Sequence, residues 1–189
     1  MNEVTKFKGK HSEVYVIDRY AIKVFKKDFL YNFKKEVKFL TLLQPFKFVP
    51  RLYFVDDLNL KIVMEYINGI RIGEFLKIMN EEEIRDIIAK CYEICYVLDS
   101  IGIQKEEMSR PDKHIIIKDD DVFFIDFERS LIRDKPANVT QFTSYVITRV
   151  SKYIDLNVES LKEFTKNYKR TRKYEDFIKI MDLIRCSRC

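Results

Sequence analysis

In the stretch KHIIIKDDDVFFIDFERS, residues 113–130, a run of β-branched and aromatic residues delivers Asp126 to the end of an apolar strand. A carboxylate in such a place is costly unless something neutralises it. A divalent metal bridging phosphates would do so; so would an ion pair with Arg129 or Lys23, or a capping role on the adjoining hairpin. Lys23 lies in AIKV (21–24) and Glu36 in FKKEVKFL (33–40). Taken singly, each is a charge on an amphipathic element. Together they offer what phosphate binding requires, a flexible cation on a strand held in place by a carboxylate. Gly9 and Ser12, in FKGKHSEVY, mark either an ordinary hairpin turn or one whose backbone N–H groups cradle phosphate. His114 can hydrogen-bond a phosphate or ligate a metal, although a neutral imidazole suits metals softer than magnesium. The carboxylates Glu106, Glu107 and Asp112 are within reach of a general-base role.

The four cysteines form two close pairs, Cys91/Cys95 in CYEIC and Cys186/Cys189 in CSRC. The first pair is one helical turn apart within an apolar pattern, which predicts buried core thiols. The second has the spacing of half a zinc site or a redox pair. With 35 Lys and Arg against 30 Asp and Glu, the chain carries a net charge of +5. That excess favours polyanionic partners, a nucleotide or RNA, through long-range steering. No apolar run approaches the roughly 20 residues that span a bilayer, and the first twenty residues hold no apolar core of signal-peptide length. The expectation is a cytoplasmic protein with no membrane partner.

The elements that must position these residues fall into two groups. Up to residue 67 the pattern is mostly strands: EVYVIDR and YAIKVFKK joined at Asp18-Arg19, then two more in RLYFVDDLNLKIVMEYI around an Asp-Asp turn. Between them, FLYNFKKEVKFLTLLQ sets Phe29, Phe33, Val37, Leu40 and Leu43 at helical spacing, and Pro45 ends it. After a linker near 67–73 the pattern turns helical. Asn80 is placed to cap a helix whose first turn carries three Glu, and Gly102 to close it. A hairpin around Asp119–Asp121 follows, and then a helical final third. The prediction is an α+β chain of two lobes: 1–67, β-rich with one helix and covering the nucleotide, and 68–189, helical and carrying the metal and catalytic loop.

In their order, AIKV, the helix with Glu36, IVMEYINGI and FIDF resemble a protein kinase in minimal bilobal form, with a reduced helical C-terminal lobe. The resemblance implies that Mg-ATP binds between the lobes. Lys23 would hold the α- and β-phosphates, Glu36 would orient it, and Asp126 would hold Mg2+. Ala21 and Met64 would line the nucleotide site. The Glu65 carbonyl would accept from the adenine amine, and the Ile67 N–H would donate to the ring. Gly9 and Ser12 would cover the phosphates, with one glycine where kinases usually have two or three. Ser109 and His114 stand where a kinase carries its substrate-orienting Asp and its second metal-binding Asn. His114 is then a candidate phosphate or metal contact, and Asp112 and Glu107 are equal candidates for a base in a shifted register.

The string SRPDKH with EEM before it, PRLYFV, VMEYINGI and NVTQF is similar to a small archaeal family of RIO-like serine/threonine protein kinases, distant relatives of the kinase of the KEOPS complex. That similarity covers residues 7–150 and implies an ATP-dependent phosphoryl transfer to a protein hydroxyl, or ATP hydrolysis. The alternative is a nucleotide-binding pseudokinase or adaptor, associated with RNA or the ribosome.

Overall fold

A computed structural model describes residues 4–186. The chain is a mixed α+β protein whose residues fall into two compact units. One comprises the chain up to Gly69 together with Phe123–Ser130; the other comprises Ile70–Val122 and the chain from Leu131 onward. The segment bearing Asp126 therefore belongs with the first unit, whereas the sequence reading placed it in the second lobe. Its side-chain partners explain the difference: Asp126 and Glu128 both contact Lys23.

The first unit is built on an antiparallel sheet of β1 (Thr5–Lys8), β2 (Ser12–Ile17), β3 (Tyr20–Phe25), β4 (Leu52–Asp56) and β5 (Lys61–Glu65), ordered β1-β2-β3-β5-β4. β2 and β3 pair from Ser12↔Phe25 to Ile17↔Tyr20. The turn between them is made by Asp18 at φ 53, a conformation that an Asp tolerates better than most residues. On β3 the period of two puts Ala21, Lys23 and Phe25 on the buried face.

Helix α1 (Leu30–Leu43) buries Phe33, Glu36, Phe39, Leu40 and Leu43. The sequence pattern placed Val37 on this stripe. Val37 is only half-buried, and Glu36 and Phe39 take the inner face. The helix also starts one residue later than Phe29, which closes a 3₁₀ turn and stacks on His11 with ring centroids 4.2 Å apart. Phe25 meets Phe33 edge-on at 5.8 Å, which ties the helix to the sheet next to Lys23.

The second unit contains β6 (Ile70–Arg71), α2 (Ile72–Ile78), α3 (Glu81–Ser100), β7 (Ile103–Gln104), β8 (Ile115–Lys118), the start of β9 (Asp121–Phe124), β10 (Leu131–Ile132), α4 (Asn138–Thr148), α5 (Val158–Thr171) and α6 (Tyr174–Arg185). Asn80 caps α3 in a reciprocal box: its Oδ1 accepts from Glu83 N–H and its own N–H donates to Glu83 Oε2, each at 3.0 Å. Gly102 follows the helix at φ 76, where a side chain would be strained. Cys91 and Cys95 are free thiols buried on α3, and burial pushes both pKa values up, so neither is a nucleophile at neutral pH. Of the other pair, Cys189 lies outside the described residues. No described helix is long and apolar enough to cross a membrane.

Two buried polar centres organise this unit. Arg85, 3% exposed, donates to Glu81, to the Ile184 carbonyl and to the Asp155 carbonyl. Asp99, 9% exposed, accepts from the N–H and side-chain amide of Asn138 at 2.8 Å each, from Val139 N–H at 3.3 Å and from the Tyr168 hydroxyl at 3.1 Å. A carboxylate on α3 thus satisfies the first free N–H groups of α4, a cap supplied from 39 residues away.

Candidate functional site in the first unit

The period of β3 aims Lys23 inward, and α1 aims Glu36 at it. The Lys23 ammonium lies 3.6 Å from Glu36 Oε1, 3.0 Å from Asp126 Oδ1 and 3.5 Å from Glu128 Oε2. It also sits 4.8 Å from the centre of the Phe25 ring. Exposure rises across the group: the Glu36 side chain is 1% exposed, Lys23 7%, Glu128 10% and Asp126 36%. Glu36 is therefore an internal anchor for the lysine, while Asp126 keeps an accessible side.

Asp126 adopts φ 65, outside the usual range for a side-chain-bearing residue. The chain leaves β9, turns at Asp126 and is pinned by Phe127, which is fully buried and whose carbonyl accepts from Ser130 N–H at 2.9 Å.

The electrostatics are lopsided. Burial alone pulls the Lys23 pKa down. The carboxylates of Glu36, Asp126 and Glu128 more than reverse that and hold it above 10.5. One ammonium thus faces three carboxylates, and the surplus negative charge suits a divalent cation. Oxygen donors of this kind fit Mg2+, which is typically held by one or two carboxylates with phosphate oxygens completing its shell. Among the described residues no group of three or more His, Cys, Asp and Glu side chains forms a metal cage by itself. Asp126 and Glu128 are the residues that would hold such an ion.

Glu128 also binds His11 Nδ1 at 2.5 Å. His11 sits in the turn between β1 and β2, which Gly9 closes by donating to the Ser12 carbonyl at 2.9 Å. Lys26 fastens the same turn, its N–H on the His11 carbonyl at 3.0 Å and its ammonium on the Lys10 carbonyl at 2.8 Å. The Gly9 N–H is consumed in closing the turn, so phosphate contacts here would come from other N–H groups. Ser12 is buried as the first residue of β2.

At the other end of the sheet Ala21 pairs with Met64 and Tyr20 with Glu65. Glu65 N–H donates to the Arg51 carbonyl at 2.8 Å and Tyr66 N–H to the Arg19 carbonyl at 2.9 Å. Ile67, buried, accepts at its carbonyl from Gly69 N–H, and no acceptor within the described residues takes its own N–H. That is the backbone donor the resemblance assigns to a purine ring.

The remaining candidates lie in the second unit. His114 Nε2 is 3.0 Å from Glu107 Oε2, so both are engaged with each other. Asp112 Oδ1 accepts from the Tyr145 hydroxyl at 3.1 Å.

Sequence reading missed two members of the first-unit group. Glu128 stands in a turn just past Asp126 at φ 65, so its only signal in the sequence is a second carboxylate two residues from the first. His11 carries no such signal, since its position depends on the turn. No protein-family model matches the chain, and no curated protein matches it.

Proposed function

We propose that the first unit binds Mg-ATP and that the protein is an atypical protein kinase of RIO-like type, acting in the cytoplasm on a serine or threonine hydroxyl or releasing phosphate from ATP. The observation that carries this reading is the convergence of Glu36, Asp126 and Glu128 on Lys23. Lys23 holds phosphate oxygens, Glu36 fixes Lys23, and Asp126 with Glu128 holds the metal. The metal supplies charge neutralisation at the transferring phosphoryl group. The backbone of Glu65 and Ile67 grips adenine, with Ala21 and Met64, neighbours on the sheet, lining the site.

The candidates for a base are Asp112, which accepts from Tyr145, and Glu107, which is paired with His114. A nucleotide-binding pseudokinase or RNA-associated adaptor is the second reading. It is favoured by Ser109 and His114 at the positions of the usual kinase Asp and Asn, the latter tied to Glu107.

Thermal shift with ATP and magnesium, followed by assay for phosphoprotein and free phosphate, tests both readings. Stabilisation plus turnover, lost in Asp112→Asn, supports the enzyme. Stabilisation without turnover supports the pseudokinase, and no stabilisation sinks both.

A further inference from the structure

The second unit holds a concavity of about 420 Å³ whose rim carries Arg71, Lys77, Lys113 and Arg149 against only two carboxylates, Glu74 and Asp112. The cations come from four places in the chain: β6, the last turn of α2, the turn before β8 and the end of α4. All four are exposed, and none forms an ion pair among the described residues. Some exposed cations elsewhere on this unit pair with carboxylates, as Lys162 does with Glu159 and Arg185 with Glu93, and others do not; these four are set apart by ringing one hollow. Four cations against two carboxylates leave a positive surplus around one hollow, which draws anions, and two of the cations are guanidinium groups, whose planar forks match phosphate oxygens.

Asp112 makes the hollow more than a basic patch. Its carboxylate accepts from the Tyr145 hydroxyl, which burial keeps protonated well above the usual phenol range, with the Asp112 charge adding to the effect. A Cβ on Gly73 would stand 2.7 Å from Asp112 Oδ1, so the carboxylate occupies space that only glycine leaves open. A fixed acceptor among cations calls for a donor on the ligand. Tyr153 and the buried Leu76 give the wall an apolar part, and the volume suits a metabolite-sized molecule.

We propose that this cavity binds a small phosphate monoester that carries a hydroxyl, Arg71 and Arg149 taking the phosphate and Asp112 accepting from the hydroxyl. Binding here needs no nucleotide; it shares Asp112 with the base candidate named above, and Lys23→Ala separates the two readings.

Calorimetric titration of the full chain with glycerol 3-phosphate, n-propyl phosphate, inorganic phosphate and a single-stranded RNA oligonucleotide tests it. Glycerol 3-phosphate is expected to bind about 10-fold more tightly than propyl phosphate, the worth of one hydrogen bond to a charged group. The double variant Arg71→Gln/Arg149→Gln, changed only at exposed positions, is expected to lose at least about 10-fold for both esters. Asp112→Ala and Gly73→Ala should each erase the preference for the hydroxyl without weakening propyl phosphate, and thermal melts report whether each variant is folded. Lys23→Ala should leave all of this unchanged. Failure of both esters to bind, or binding indifferent to Arg71 and Arg149, overturns the proposal. So does RNA binding that the double variant abolishes while glycerol 3-phosphate shows none, since the cavity rim would then track a nucleic-acid backbone.

Discussion

Lys23 Nζ and Asp126 Oδ1 stand 3.0 Å apart although 103 residues separate them in the chain. The contact joins a strand of the sheet to a segment that returns to it late in the sequence, and Glu36 and Glu128 close round the same ammonium. Removing the lysine leaves three carboxylates facing one another, two of them nearly buried. Lys23→Met is therefore expected to cost roughly 3 kcal/mol, the scale for breaking a buried ion pair, with the partly exposed Asp126 contributing least. Urea denaturation checks this. On the proposed function, the same variant also loses stabilisation by ATP and magnesium.

The same ammonium gives the fold an alkaline limit. Its pKa is raised in the folded state: burial pulls it down, and the three carboxylates more than compensate. A cation with a raised pKa contributes stability that is complete below its unfolded value of 10.5 and is lost as pH rises beyond it. Denaturation midpoints followed upward from pH 9 should fall more steeply in wild type than in Lys23→Met. Parallel curves would mean the lysine's environment differs from that described.

His11 fastens the turn between β1 and β2 to Glu128 and stacks on Phe29. Its loss should free residues 8–12 without unfolding the sheet, because the β2–β3 ladder does not involve it. Hydrogen exchange in His11→Ala is expected to speed up at the turn amides by about 10-fold or more, with β3 and β5 protected as before. Uniform acceleration across the sheet would show that the histidine supports the whole unit and not the turn alone.

How much of this was legible in the sequence depends on what fixes each residue. Lys23 and Glu36 sit on elements whose own periods aim them inward, but the patterns alone did not pair them; the order of motifs shared with protein kinases did. Glu36 also defeated the apolar count on α1: the pattern favoured Val37 for the inner face, but a carboxylate can be buried when a lysine waits there. Asp126 was readable from the apolar run before it. Chain order does not reveal that 123–130 groups with the first unit. The cap that Asp99 places on α4 was invisible for the same reason. Its partner is 39 residues on, and neither residue stands out from its neighbours.

Asp99 is the strongest stability prediction in the second unit. Its pKa is raised, burial being the largest cause, opposed by hydrogen bonds from Asn138 and Val139 and by Arg172. A carboxyl raised in the folded state binds protons there more tightly than in the unfolded chain. Its contribution to stability is therefore greatest in acid and declines as pH climbs from 3.8 through the raised value. Asp99→Asn should remove that declining component from the pH profile. Asp99→Ala orphans the donors of Asn138 and should cost roughly 2–3 kcal/mol at neutral pH, read from urea melts.

Asp126 and Glu128 touch the same lysine but differ in what else they can do, and this separates metal binding from mere charge balance. Glu128 is shared with His11 and is 10% exposed, whereas Asp126 is 36% exposed. If the first unit binds Mg-ATP, Asp126 is the stronger metal ligand and Glu128 the supporting one. Asp126→Asn keeps the shape but removes the charge, and is expected to weaken the magnesium dependence of ATP binding by at least about 10-fold. It should leave binding of metal-free nucleotide near wild type or slightly tighter, since one negative charge is gone. Glu128→Gln should move the magnesium midpoint less, while loosening the β1–β2 turn through His11. Titrating magnesium at fixed ATP against both variants, with Lys23→Met as the no-binding control, gives three separable curves. Equal effects of Asp126→Asn and Glu128→Gln would mean that the two carboxylates act only by balancing Lys23, and the metal role would have to be abandoned.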